Sequence, residues 1–249
     1  METSVTFTPP ILALWSAPRS RSTAFLKMMS QRGDRTILHE PFSHVMNFGE
    51  TSVGGRTVRG ERELIEAIRE EAAKGPVFFK DTTDFAYPGL LADTDFLKEA
   101  THTFIIRHPS EAIASHAAIN PDLTCEEIGF SRLAEIYEAV RQATGHRPVV
   151  VDSDDLVADP AATVRAYCAR TGIPFVPSAL SWRPEMREEW VGTKVWHEST
   201  SRSQGFAATT AAYTRGPDND PRLAEFLAFH LPFYEELRAH RLSVPAAAA

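Results

Sequence analysis

The chain has 249 residues, with 26 Lys and Arg against 33 Asp and Glu and a formal net charge of −7. That length suits one α/β domain or two small ones, and 43% hydrophobic with 24% charged residues excludes a disordered chain. The acidic balance argues against general nucleic-acid binding, which needs cations to displace phosphate counterions, but it leaves room for a local basic pocket.

The first apolar run, Ile11-Leu12-Ala13-Leu14-Trp15, is short and continuous, as expected of a strand buried on both faces of a parallel sheet. Ser16 to Ser20 read as a loop, and from Arg21 the spacing of Ala24, Phe25, Met28 and Met29 predicts a helix closed by Gly33. Thr36 to Leu38 form a short second strand. Arg62 to Ala73 form an amphipathic helix ended by Gly75-Pro76, and Val77-Phe78-Phe79 a third strand. Thr103 to Ile106 are a fourth strand, with helices expected over 109–119 and 126–143. A fifth strand is expected over 148–151 and a helix from Pro160 to Arg170, stopping at Gly172. Residues 175–219 hold three of the four Trp and many Ser, Thr and Gly, and read as a long functional region over one sheet edge. A last helix is expected from Pro221 to His240, interrupted at Pro232.

This alternation predicts an α/β fold with a central parallel sheet flanked by helices, residues 1–249 forming a single domain with disorder at 1–9 and 245–249. Cys125 and Cys168 supply neither a disulfide framework nor four zinc ligands, and are expected as buried free thiols. Without a signal-type N-terminus or an apolar run of membrane-spanning length, a cytoplasmic location without membrane insertion is expected.

Pro18-Arg19-Ser20-Arg21-Ser22-Thr23 lies between a buried strand and a helix, where backbone N–H groups and the helix N-terminus face an anion. Arg19 adds a charged fork, and Ser20, Ser22 and Thr23 add hydroxyl donors. An ATP- or GTP-binding loop of the G-x-x-x-x-G-K-[ST] type would need the Lys and both glycines that are missing here. The segment instead resembles the 5′-phosphosulfate loop, P-[KR]-[ST]-G-[ST]-[ST], of the sulfotransferases that use 3′-phosphoadenosine 5′-phosphosulfate (PAPS). Arg21 stands where that family carries Gly, which alters the loop's approach to the phosphate or brings a second cation to it. Arg107-His108-Pro109, with Ser115 eight residues after the Arg, is similar to the family's 3′-phosphate motif. Asp154-Asp155-Leu156-Val157-Ala158-Asp159-Pro160 is similar to its E-D-L-x-x-D-P segment, with Asp159 as a helix cap. Arg202-Ser203-Gln204-Gly205 looks loosely like the loop that closes over the 3′-phosphate and adenine, with Trp196 and Phe206 beside it to stack on adenine or to pack.

The resemblance implies a P-loop-like fold and a sulfuryl transfer from PAPS to a hydroxyl of a small-molecule acceptor, leaving PAP, with no metal required. Glu40 follows the second strand, 21 residues after Arg19, where several branches of the family carry a Glu base, and it is the first candidate for general base. His39 is the second. His39-Glu40 with His44 does not make a zinc-protease motif, because the spacing exceeds H-E-x-x-H by one and Pro41 breaks a helix. Lys80 is a candidate contact to the transferring group and Asp81 a lesser one to the acceptor. Two other classes stay open: a P-loop phosphotransferase, with Asp81 or Asp152 on a metal, and a non-catalytic nucleotide-binding protein. Oligomeric state also stays open, a homodimer included.

Overall fold

The computed structural model describes residues 9–186, 194–208 and 212–244. Five strands among them form one wholly parallel sheet in the order β2-β5-β1-β6-β7: β1 (Ile11–Ser16), β2 (Thr36–His39), β5 (Val77–Thr82), β6 (Thr101–Ile106) and β7 (Val149–Asp152). Between β2 and β5 lies a small antiparallel hairpin, β3 (Thr51–Val53) and β4 (Arg56–Val58). It turns on Gly54 and Gly55, whose positive φ angles of 58° and 81° suit glycine. β1 and β5 are buried along their whole length, which explains the apolar runs Ile11–Trp15 and Val77–Phe79.

Alternate residues of β1 feed two cores. Ile11, Ala13 and Trp15 face one layer, and Leu12 and Leu14 the other. The first layer includes α3 (Glu61–Lys74), α5 (Thr94–Glu99), α7 (Phe130–Thr144) and α11 (Pro221–Ala239); the second is covered by α1 (Ser22–Arg32) and α9 (Pro160–Thr171). Trp15 is fully buried against Phe42, Phe79 and Tyr87, and its indole N–H donates to His102 Nδ1 at 2.9 Å.

Several boundaries differ from the sequence expectation. Pro41 does not break a helix but opens one, α2 (Pro41–Phe48), since the first helical position needs no N–H donor. Residues 88–92 and 94–99 are two short helices, α4 (Pro88–Ala92) and α5, where no element was expected. The helix expected over 126–143 is a 3₁₀ turn at Glu126–Ile128 and then α7, divided by Gly129 at φ 82°. α11 runs through Pro232 without interruption. α6 (Pro109–Ala117) and α8 (Ser153–Ala158) begin where β6 and β7 end, and Asp159 caps α9 by accepting from Ala162 N at 2.9 Å.

In the 175–219 region, α10 (Lys194–Ser201) packs on α1, and Ser181 bridges to Gly205. Cys168 is buried and Cys125 half-buried, both free thiols. The disorder expected at 1–8 and 245–249 falls outside the described residues, while Pro9 is buried. Among the described residues no helix is long and apolar enough to cross a membrane.

Candidate active site

In a parallel sheet all strands end on the same side, so the loops that follow them converge at one edge, where open α/β sheets bind ligands. Here those loops enclose a cavity of about 640 Å³. Its wall holds Pro18 to Thr23 after β1, Glu40 after β2, Lys80 at the end of β5, Arg107 after β6 and Ser115 on α6.

The loop after β1 is wound tightly. Arg19 and Arg21 hold left-handed backbones at φ 68° and 64°, a conformation that costs a side-chain-bearing residue about 1 kcal/mol or more. Winding of this kind turns successive N–H groups toward one point and forms an anion-binding concavity. Ser20 sits inside it, fully buried, and its hydroxyl has no hydrogen-bond partner among the described residues. An unpaired buried hydroxyl is costly unless a ligand completes it. Ser16 Oγ donates to Ser22 Oγ at 2.8 Å, tying the loop to the end of β1.

Three of the four motif arginines, Arg19, Arg21 and Arg107, gather at this end of the sheet. Arg107 Nη1 donates to the Arg19 carbonyl at 3.2 Å, and its Nε and Nη2 grip Glu111 Oε2 at 2.9 and 2.6 Å. Arg19 Nε donates to Ser115 Oγ at 3.1 Å, and Nη1 to the Trp196 carbonyl of α10 at 2.8 Å. Burial, and after it the charge of Arg107, pulls the Arg19 guanidinium below its ordinary value, with Tyr213 and Glu40 opposing. Such a cation gains from an anion beside it. Arg21 behaves differently. Its guanidinium turns to Ser153 Oγ (3.0 Å) and Asp154 (2.6 Å), with Glu111 at 3.6 Å, so it braces the loop against α8 and α6.

Glu40 also has a left-handed backbone, φ 47°, which sets its carboxylate at the mouth of α2 and into the cavity. The buried ammonium of Lys80 donates to it. His39, the alternative base, is buried behind Glu40 and does not line the cavity, with its Nε2 3.7 Å from Glu40 Oε1. His44 lines the cavity in its place, one turn into α2. One ligand atom each of His39, Glu40 and His44 lies within 4.8 Å of the others, so the structure unites three groups that the sequence spacing kept apart. The Lys80 ammonium already lies on Glu40 Oε1 in this cluster.

Asp81 is no acceptor contact. It is fully buried and accepts from Phe42 N (2.6 Å), Ser43 N (3.1 Å), Ser43 Oγ (2.5 Å) and Thr82 N (2.9 Å). Its carboxyl accepts the free N–H groups at the N-terminus of α2 and thereby fixes Glu40. Asp152 caps α8 through Asp154 N at 3.0 Å and pairs with Arg238 at 3.2 Å. Both aspartates offered to a metal-dependent phosphotransferase therefore have structural partners.

Of the later motif, Ser203 and Gly205 line the cavity and Arg202 lies exposed outside it. Ser203 Oγ accepts from Trp182 Nε1 at 3.0 Å and donates to the Thr200 carbonyl at 2.7 Å. Trp196 stands at 6.0 Å from the Arg19 guanidinium and edge-on to His116, while Phe206 packs on Phe25 and Trp182. Lys27, buried on α1, donates to the Thr200 carbonyl at 3.2 Å. Asp84, Phe85, Asn47 and Glu127 complete the wall beyond Glu40 and carry no motif in the sequence.

A family model described as a sulfotransferase domain matches residues 10–241. Two curated Arabidopsis thaliana proteins, branched-chain-amino-acid aminotransferase-like proteins 2 and 1, are each 28% identical over 240 and 246 residues, 92% and 93% of this chain. The chain spans only 42% of the length of each. Among solved structures, a sulfotransferase from Alicyclobacillus acidocaldarius aligns over 94% of this chain and 97% of its own, at 16% identity and TM-score 0.49. A mouse sulfotransferase complexed with PAP aligns over 91% of this chain and 82% of its own, at 12% identity and TM-score 0.43.

Proposed function

The chain belongs to the sulfotransferase domain family, and from that premise we propose that it moves the sulfuryl group of PAPS to a hydroxyl of a small-molecule acceptor, with Glu40 as the base. The observation that carries this reading is the loop after β1, where the buried Ser20 hydroxyl, without a partner among the described residues, and the desolvated Arg19 face one cavity with Arg107 and Ser115. The residues fit a nucleotide bearing two anionic groups. Ser20, Ser22, Thr23, the loop N–H groups and Arg19 hold the 5′-phosphosulfate, and Arg107 with Ser115 reads the 3′-phosphate. Ser203 and Gly205 supply part of the wall over the nucleoside.

Glu40 takes the proton of the acceptor hydroxyl as its oxygen bonds to sulfur. The bond from sulfur to the bridging phosphate oxygen breaks, and its electrons leave with PAP. Arg19 and the loop N–H groups stabilise that departing charge, and Lys80 both orients Glu40 and shares in the stabilisation. The reaction needs no electron carrier and no step at a metal, and His39 stands behind Glu40 as the second candidate for the base.

The test is transfer from labelled PAPS to a panel of hydroxyl acceptors, with the sulfated product identified by mass. Glu40→Gln is expected to lower kcat roughly a hundredfold or more while PAP affinity stays within about threefold. Tight binding of ATP-Mg with no response to PAP overturns the reading in favour of a phosphotransferase, and unchanged turnover in Glu40→Gln removes Glu40 as base.

A further inference from the structure

The cavity is electrically divided. Its donor end carries Arg19, Arg21 and Arg107, whereas the wall beyond Glu40 carries Asp84 and Glu127 among the described residues. Asp84 is firmly held. Thr82 Oγ1 donates to its Oδ1 at 2.7 Å, its own N–H donates to the carboxylate, and Arg132 donates to its main-chain carbonyl. Thr82 is its one side-chain hydrogen-bond donor among the described residues, and the side chain lines the cavity. Burial lifts its carboxyl to about 6 and the charge of Glu40 adds to the shift, while Thr82, its own N–H and the Lys80 ammonium offset only part of it.

The wall is also rigid. Thr83 Oγ1 donates to the Gly129 carbonyl at 2.8 Å, and a Cβ on Gly129 would lie 2.7 Å from the Thr83 carbonyl oxygen. This close approach locks the 83–84 segment to the turn that carries Glu127, whose carboxylate accepts from Thr124 N at 2.6 Å. Phe85 adds an aromatic face beside Asp84. A recessed, pre-oriented carboxylate next to an aromatic ring is the chemistry that receives an alkylammonium.

We propose that the acceptor is an amino alcohol or an aminoalkyl phenol whose ammonium group is received by Asp84 while its hydroxyl faces Glu40. This rests on the sulfotransferase reading and narrows its acceptor. Glu127 adds long-range attraction, and an anionic acceptor meets repulsion from both carboxylates.

The test uses the full chain and matched sets that share a skeleton: tyramine, 4-ethylphenol and 3-(4-hydroxyphenyl)propanoate, with 3-aminopropanol, butanol and 3-hydroxypropanoate as an aliphatic set. Rates are measured with PAPS, and equilibrium binding is measured in the presence of PAP by calorimetry. The ammonium member of at least one set is expected to exceed its neutral partner roughly tenfold in kcat/KM or affinity. That advantage is lost in Asp84→Asn, whose KM for PAPS stays unchanged. A preference for the neutral or anionic member, an advantage that survives Asp84→Asn, or no binding of any ammonium member overturns the proposal. Loss of PAP binding in the unmodified chain is a separate outcome, which overturns the sulfotransferase reading itself.

Discussion

At the scale of the residue, the site depends on side chains spent on holding others. Asp81 is the clearest case. Its register partner across the sheet is Trp15, which places the carboxylate inside the sheet and not at its rim. There it satisfies two main-chain N–H groups at the start of α2 and the hydroxyl of Ser43. Asp81→Ala leaves those donors buried and unmatched, at a cost of about 3 kcal/mol, and loosens the turn that orients Glu40. Denaturant unfolding is expected to show that loss, and turnover to fall further than stability explains while PAP binding persists. A stable variant with full turnover separates Asp81 from the placement of Glu40.

At the scale of the element, the loop after β1 does with arginine what its relatives' motif does with glycine. Arg21 keeps the left-handed backbone of a glycine position and turns its guanidinium away, to Ser153 and Asp154. Arg21→Gly removes the brace and relieves the backbone; Arg21→Ala removes the brace and keeps the strain. Arg21→Ala is therefore expected to be the less stable of the two by about 1 kcal/mol, read from their thermal midpoints; the reverse order excludes the left-handed assignment. The loop was legible because it follows an apolar run, and Glu40, Lys80, Arg107 and Ser115 were legible for the same reason: in a parallel sheet, strand ends share a side. What stayed hidden was set by contacts without a sequence period. Pro41 reads as a breaker until Asp81 accepts the free N–H groups at the mouth of α2. Asp84 and Glu127 lie 43 residues apart in short irregular segments, and the Thr83–Gly129 contact that unites them has no signature in spacing. The direction of Arg21 was equally invisible, because the residue type does not announce a left-handed backbone.

At the scale of the molecule, a net charge of −7 coexists with a cationic donor end, since the arginines are gathered at one edge of the sheet. The same burial that sharpens this site leaves titrating groups in the core, and their signs oppose. His102 is buried between Trp15 and Phe96. Its Nδ1 accepts from the indole, so its proton lies on Nε2, toward the Phe96 carbonyl, and burial lowers it from 6.5 to about 4. The unfolded chain then binds more protons between those values. The stability His102 contributes is complete above pH 6.5 and is lost as pH falls toward 4, on the order of 3 kcal/mol in all. Burial lowers His116 to about 4 in the same sense, with Arg19 adding. Asp81 and Asp84, lifted by burial to about 7 and about 6, work the other way: the folded chain binds their protons more readily, so their contribution grows as pH falls from 7 toward 4. The two pairs therefore oppose each other across the range from pH 7 to about 4.5. Replacing one member exposes the balance. Relative to the native chain, His102→Gln is expected to gain stability steadily as pH is lowered through that window, whatever its loss at pH 7. Urea unfolding at matched pH values checks this; parallel profiles for the two proteins would mean that His102 takes up its proton equally readily in the folded and unfolded chain, and that the hydrogen bond from Trp15 is not made.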